Sequence, residues 1–170
     1  QVASLLSMTP PIKSLIRDDK GISYLDKKMY DNKNIEDLDI PMKIVATHLG
    51  SGAETVFEKG SLIQAVQASC TVPGILPPIK IGDKHYIDGG VVNPTPIDIA
   101  FKAGFEIVIG VDLIMKKDMN LEKPNIITTL LQAYEIIRTE GTKHKIASTP
   151  GNPIMIEPEA RGTIESFKFN

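Results

Sequence analysis

Asp88 ends a β-prone run, Lys84-His85-Tyr86-Ile87, and is followed at once by Gly89 and Gly90. A carboxylate at a strand end can take a proton from a neighbouring hydroxyl, or it can simply cap the turn that follows. Paired glycines permit positive φ and close approach to the main chain, so another group can come near Asp88. The competing side chains are few. Histidine occurs three times (His48, His85, His144) and cysteine once, at Cys70; no Cys/His spacing among them suits zinc. A Ser-His-Asp set drawn from Ser69, His85 and Asp88 fails on geometry. His85 lies three residues before Asp88 on a strand and faces the other side of the pleat, and Ser69 falls within a helix rather than on a sharp elbow. Cys70 has no convincing base and reads as a buried, inert thiol. His48 reads as a packed or surface residue, His144 as solvent-facing and Asp112 as a structural cap. Neither G-x-G-x-x-G nor G-x-x-x-x-G-K-[ST] occurs, so the glycines spell no phosphate loop.

Two tight hairpins are expected to place these residues. Met42 to Leu49 has the β-branched content of a strand, Gly50-Ser51-Gly52 turns it, and Glu54 to Phe57 returns. Ser61 is a fair N-cap for a helix from Leu62 to Cys70, and Pro73 stops it. Ile79 to Ile81, the Gly82-Asp83 turn and Lys84 to Ile87 form the second hairpin, which delivers Asp88. After the glycines, Thr95 is set to cap a helix with Pro96 at its first position, an inner face of Ile97, Ala100 and Phe101, and an end at Gly104. Ile107 to Val111 is continuously apolar, as expected of a strand covered on both faces in a parallel sheet. Asn125 is placed to cap the clearest helix, whose stripe of Ile126, Ile127, Leu130, Leu131, Tyr134 and Ile137 reads as core and which ends near Gly141. Ile154-Met155-Ile156 is a last short strand. Gly21 to Met29 reads as a short amphipathic helix, and the clusters Arg17-Asp18-Asp19-Lys20 and Lys116-Lys117-Asp118 as solvated loops. This order predicts an α/β domain with a mainly parallel central sheet flanked by helices, in which function collects beyond the carboxyl ends of strands.

Composition narrows the class. The chain has 170 residues, 42% hydrophobic and 24% charged, ordinary for one soluble domain and enough for a core without disulfides or metal. A net charge of −2 and a pI near 5.9 argue against a nucleic-acid partner. No apolar run approaches the roughly 20 residues of a membrane span, and Gln1 to Met8 does not read as a signal peptide. The lone cysteine fits a reducing compartment, so a cytoplasmic location is expected.

The run from Gln64 to Asp112 resembles the patatin-like phospholipase family, in its bacterial branch related to neuropathy target esterase. The matching blocks are Lys43-Ile44-Val45-Ala46-Thr47, Ala65 to Pro78, Tyr86-Ile87-Asp88-Gly89-Gly90-Val91-Val92-Asn93-Pro94-Thr95-Pro96, and Ile107 to Leu113. The resemblance implies an acyl-ester hydrolase of lipids that works with a Ser-Asp dyad, without histidine, cofactor or metal. Asp88 is then the dyad acid and Gly89-Gly90 belong to its signature. An unperturbed carboxylate is a feeble base, so partial burial of Asp88 is expected.

The family's nucleophile sits in a G-x-S-x-G elbow and its oxyanion hole in an earlier glycine-rich loop with an arginine. Neither motif occurs in residues 1–170, and Gly50-Ser51-Gly52 lacks the strand-elbow-helix setting. His48 also stands where this branch more often shows an acid. The expectation is a single domain over 1–170 that forms the C-terminal portion of a patatin-like catalytic domain, its N-terminal part missing. Such a chain supplies the Asp but neither nucleophile nor oxyanion donors. Its expected partners are a lipid or ester substrate, a membrane surface touched peripherally, and another copy or the missing N-terminal segment. The alternative is a non-catalytic lipid-binding or assembly module that has lost the nucleophile.

Overall fold

The computed structural model describes residues 33–113 and 125–158. The helix expected over Gly21 to Met29 and the two charge clusters lie outside the described residues. Strands are β1 (Ile44–His48), β2 (Glu54–Phe57), β3 (Ile79–Ile81), β4 (Lys84–Asp88), β5 (Ile109–Val111) and β6 (Ile154–Ile156). Helices are α1 (Leu62–Ser69), α2 (Ile97–Lys102) and α3 (Ile126–Ser148), with 3-10 turns at Ile35–Asp37 and Gly89–Val91.

Both expected hairpins form. β1 pairs antiparallel with β2, Ile44 opposite Phe57 and Thr47 opposite Glu54, and β3 pairs antiparallel with β4 around Gly82 at φ 59°. β4 also lies antiparallel against β1, with Ala46 opposite Asp88, which gives a four-stranded order β2-β1-β4-β3. β1 is the central strand, and Ile44, Val45, Ala46 and Thr47 are all buried. α1 covers one face of this sheet. The Ser61 hydroxyl accepts from Gln64 N as expected, and Leu62, Ala65 and Ala68 form its buried stripe. Ile35, Ile44, Leu62 and Ala65 make one core cluster; Ala46, Ala68 and Tyr86 make another, with Phe57 packed against both. Phe57 meets Tyr86 edge-on at 5.2 Å, a contact worth about 1 kcal/mol beyond the area it buries.

The larger sheet is therefore antiparallel, and a mainly parallel central sheet is not what the described residues build. Among the described residues parallel pairing is confined to β5 and β6, with Ile109 opposite Ile154 and Val111 opposite Ile156. Nor is β5 covered on both faces: Val108 and Gly110 are buried, whereas Ile109 is 59% exposed and Ile154 beside it 56%. A continuous apolar run reports strand propensity, not whether a second layer is present to cover it.

The helices differ in detail from expectation. Asn125 caps α3 through a reciprocal pair, Thr128 N to Asn125 Oδ1 and Asn125 N to Thr128 Oγ1, both 2.9 Å. The helix does not end near Gly141 but passes it and runs to Ser148, with Pro94 packed beside Gly141. Its apolar stripe is not core: Ile126 is 80% and Leu130 58% exposed. In α2 the cap position falls on Pro96, and the Thr95 hydroxyl instead meets Thr142 Oγ1 of α3 at 3.3 Å.

Candidate functional site

β4 carries Asp88 to the rim of the sheet and the chain fixes its backbone on three sides. Asp88 N donates to Thr71 O (2.9 Å), Thr47 Oγ1 donates to Asp88 O (2.8 Å), and β1 pairs alongside. Thr71 is itself buried and held, its hydroxyl donating to Gln67 O at 2.6 Å. The half-buried carboxylate accepts from Gly90 N through Oδ1 at 2.7 Å and so caps the 3-10 turn Gly89–Val91.

The two glycines are required for space, not for backbone conformation. Neither has a positive φ. A Cβ on Gly89 would strike the Val45 carbonyl, its carbon only 2.8 Å away. A Cβ on Gly90 would meet Arg138 Nε and Tyr134 OH at 3.0 Å each and Asp88 Oδ1 at 3.1 Å. The expected close approach is real, and its source is β1 for the first glycine and α3 for the second.

A cleft of about 350 Å³ opens beside Asp88, with Ser69, Cys70, Gly90, Asn93 and Arg138 in its walls. A larger one of about 460 Å³, walled by Ile35, Ile99 and Phe105, lies away from the carboxylate and shares Met42, Lys43, Val45 and Pro96 with the first. Of the two, the smaller cleft is the one that Asp88, Gly89 and Gly90 line.

The remaining candidates separate. Ser69 shares the cleft with Asp88, but His85 is exposed opposite Lys80 and does not join them. Cys70 is exposed rather than buried. Its thiol pKa is nonetheless raised, first by the protein packed beneath it and then by the Asp88 charge, so the thiol stays protonated and inert. His48 bonds Ser51 Oγ at 2.7 Å and stacks at a tilt on Tyr86. His144 is exposed. Asp112 follows β5 and its N–H donates to Ile156 O. Among the described residues no group of three His, Cys, Asp or Glu side chains is arranged to hold a metal ion.

Residues 5–101, which include Asp88-Gly89-Gly90, match the family model described as patatin-like phospholipase. The chain belongs to the patatin-like phospholipase family. It is 30% identical over 122 residues to rat patatin-like phospholipase domain-containing protein 7, an overlap of 71% of this chain and 9% of that protein. It is 35% identical over 111 residues to human patatin-like phospholipase domain-containing protein 6, covering 64% of this chain and 8% of the human one. An uncharacterized NTE family protein of Mycobacterium tuberculosis is 34% identical over 79 residues, 46% of this chain and 22% of that protein. The chain thus spans about a tenth of the length of the two mammalian relatives.

The patatin-like match ends before α3. Spacing places Tyr134 in an apolar stripe and gives Arg138 no role. Arg138 lines the cleft and Tyr134 OH comes up beside Gly90: Arg138 Cζ lies 5.6 Å over the Tyr134 ring, and Arg138 Nη1 donates to Glu135 Oε1 at 3.2 Å. Burial raises the Tyr134 pKa far above the ordinary tyrosine range and the Asp88 charge adds to it. The hydroxyl lies at the edge of hydrogen-bonding reach of the Asp88 carboxylate. A Tyr and an Arg four residues apart share a helix face, which is the one signal that could have paired them.

Behind the cleft, Asn93 Nδ2 donates to Glu54 Oε2 (2.6 Å) and Asp98 Oδ1 (2.9 Å), while Lys102 and Lys145 reach Asp98 Oδ2 at 3.0 and 3.2 Å. Burial opposes ionisation of Asp98. The hydrogen bonds from Asn93, Lys102 and Lys145, with the Lys145 charge, overcome it and hold the pKa at about 2.

Proposed function

We propose that this chain supplies the acid of a Ser-Asp dyad in a lipid acyl hydrolase, with Asp88 as the proton acceptor. The observation that supports this reading is a carboxylate whose backbone is pinned by Thr47, Thr71 and β1 while its side chain faces a cleft. In the reaction, Asp88 takes the serine proton as the hydroxyl oxygen attacks the ester carbonyl. Collapse of the tetrahedral intermediate breaks the ester C–O bond, and the proton passes to the departing alcohol. Water then gives a proton to Asp88 and attacks the acyl-serine; as the acyl C–O bond breaks, Asp88 returns that proton to the serine oxygen and the carboxylic acid is released. A fixed backbone keeps the carboxylate oxygen within reach of the serine through both steps, which is where orientation contributes to rate.

The serine and the oxyanion donors come, in this reading, from polypeptide outside residues 1–170, where no G-x-S-x-G occurs. The chain is then the C-terminal portion of the catalytic domain, and β5–β6 is the part of a larger parallel sheet that it contributes. The substrate is drawn from a lipid surface met peripherally, and the lone cysteine suits a cytoplasmic setting.

The test is hydrolysis of short-chain p-nitrophenyl esters by the full-length protein. Asp88→Asn is expected to remove turnover, a serine-directed phosphonate to label a serine outside residues 1–170, and the 170-residue chain alone to be inert. Full turnover by Asp88→Asn overturns the reading.

A further inference from the structure

Three polar atoms surround one point beside Asp88. The position that a Gly90 Cβ would occupy lies 3.0 Å from Tyr134 OH, 3.0 Å from Arg138 Nε and 3.1 Å from Asp88 Oδ1. Two of the three, Tyr134 OH and Arg138 Nε, are buried without a hydrogen-bond partner. An unmade buried bond costs about 1–3 kcal/mol, so two donors left this way on one helix face call for an acceptor. Their directions are set: Glu135 holds Arg138 Nη1, and the guanidinium lies over the Tyr134 ring. The acceptor they face is anionic, since both are donors and the Asp88 carboxylate sits on the other side of Gly90.

We propose that Tyr134 and Arg138 are positioning residues for Asp88, donating to its carboxylate and holding its plane for proton transfer. The inference rests on the reading of Asp88 as the proton acceptor. Gly90 N–H already takes Oδ1; donors from α3 complete a cradle around that oxygen, and Oδ2 is then directed at the reacting hydroxyl. Catalytic hydrogen bonds are commonly long in the empty site and tighten once substrate is bound, which accounts for two donors poised but unmade. The absence of a side chain at Gly90 is what lets α3 approach, so the second glycine of the motif is there for the helix.

Other charged and titratable groups around Asp88 are accounted for. Cys70, after α1, keeps its proton because burial and Asp88 raise its pKa. Lys43, leading into β1, lines the cleft but is paired with Glu58 at 2.6 Å, and Glu135 is bound to Arg138. The two donors of α3 are therefore the groups left to hold the Asp88 carboxylate.

The experiment separates kcat from KM for p-nitrophenyl ester hydrolysis by the full-length protein, comparing Tyr134→Phe, Arg138→Gln, Arg138→Lys and Asp88→Asn. Each variant is first checked for an unchanged circular dichroism spectrum. Losing either donor should lower kcat about tenfold with KM within twofold, the pattern of a lost transition-state interaction. Arg138→Lys should not restore kcat, because Lys lacks the fixed Nε direction. An unchanged kcat, or a rise in KM alone, overturns the inference while loss of turnover in Asp88→Asn leaves the dyad reading intact. Turnover that survives Asp88→Asn removes both.

Discussion

Thr47 Oγ1 donates to the main-chain oxygen of Asp88 at 2.8 Å, from a side chain that is only 2% exposed. The bond ties the central strand to the end of β4 at the residue after which the chain turns into Gly89–Val91. Thr47→Val keeps the shape and removes the donor, leaving the Asp88 carbonyl short of a partner. A loss of about 1–2 kcal/mol is expected. Urea unfolding with an unchanged slope measures it, and ester turnover in the full-length protein should fall with KM little altered, because Asp88 loses an anchor rather than a contact with substrate.

The two glycines beside Asp88 should respond differently to the same added methyl group. In Gly89→Ala the new Cβ meets the Val45 carbonyl, which is main chain of the central strand and cannot swing aside. The expected cost is about 3 kcal/mol, at the upper end for overpacking. In Gly90→Ala it meets the ends of Tyr134 and Arg138, which can move. Stability should drop by only about 1 kcal/mol, while activity of the full-length protein drops by more than in Thr47→Val. Thermal unfolding of both variants alongside their kcat values gives the comparison.

Local signals made the hairpins, the Ser61 and Asn125 caps and the position of Asp88 legible in the sequence, because each depends on neighbours within a few residues. What stayed hidden depends on distant partners. Thr95 has the chemistry of an N-cap, but Thr142 takes its hydroxyl. Gly141 reads as a helix end, but an isolated glycine costs a helix only about 1 kcal/mol, and α3 continues through it to Ser148. Tyr134 fits a run of Ile and Leu by spacing alone, and nothing in that spacing says its hydroxyl reaches Gly90. Paired glycines permit both positive φ and close approach, and the fold uses only the second.

Asp98 gives the stability of this region a pH dependence of known sign. Its pKa is about 2 when folded against an ordinary value of 3.8. Its contribution is therefore complete above pH 4 and is lost as pH falls from there toward 2. The shift corresponds to about 2 kcal/mol. Asp98→Asn should lower stability by that amount at pH 7, and the gap between the two proteins should close on acidification below pH 4. Urea midpoints taken between pH 3 and 7 test this; a gap independent of pH would mean that Asn93, Lys102 and Lys145 hold the site together without the charge.

The β5–β6 pair makes a separate statement about association. Ile109 and Ile154 stand side by side across the parallel ladder, as do Val111 and Ile156, and all four are about half exposed or more. A row of β-branched side chains on one face of a two-stranded sheet is the kind of surface that finds another layer. The 170-residue chain is expected to self-associate through this face at micromolar concentration. The double variant Ile109→Thr, Ile154→Thr keeps the β-branched backbone preference and removes apolar area, so it should sediment as a monomer with an unchanged circular dichroism spectrum. A wild-type chain that already sediments as a monomer across that range would show that the face needs no cover, and the proposed completion of the sheet by another segment would lose its physical motive.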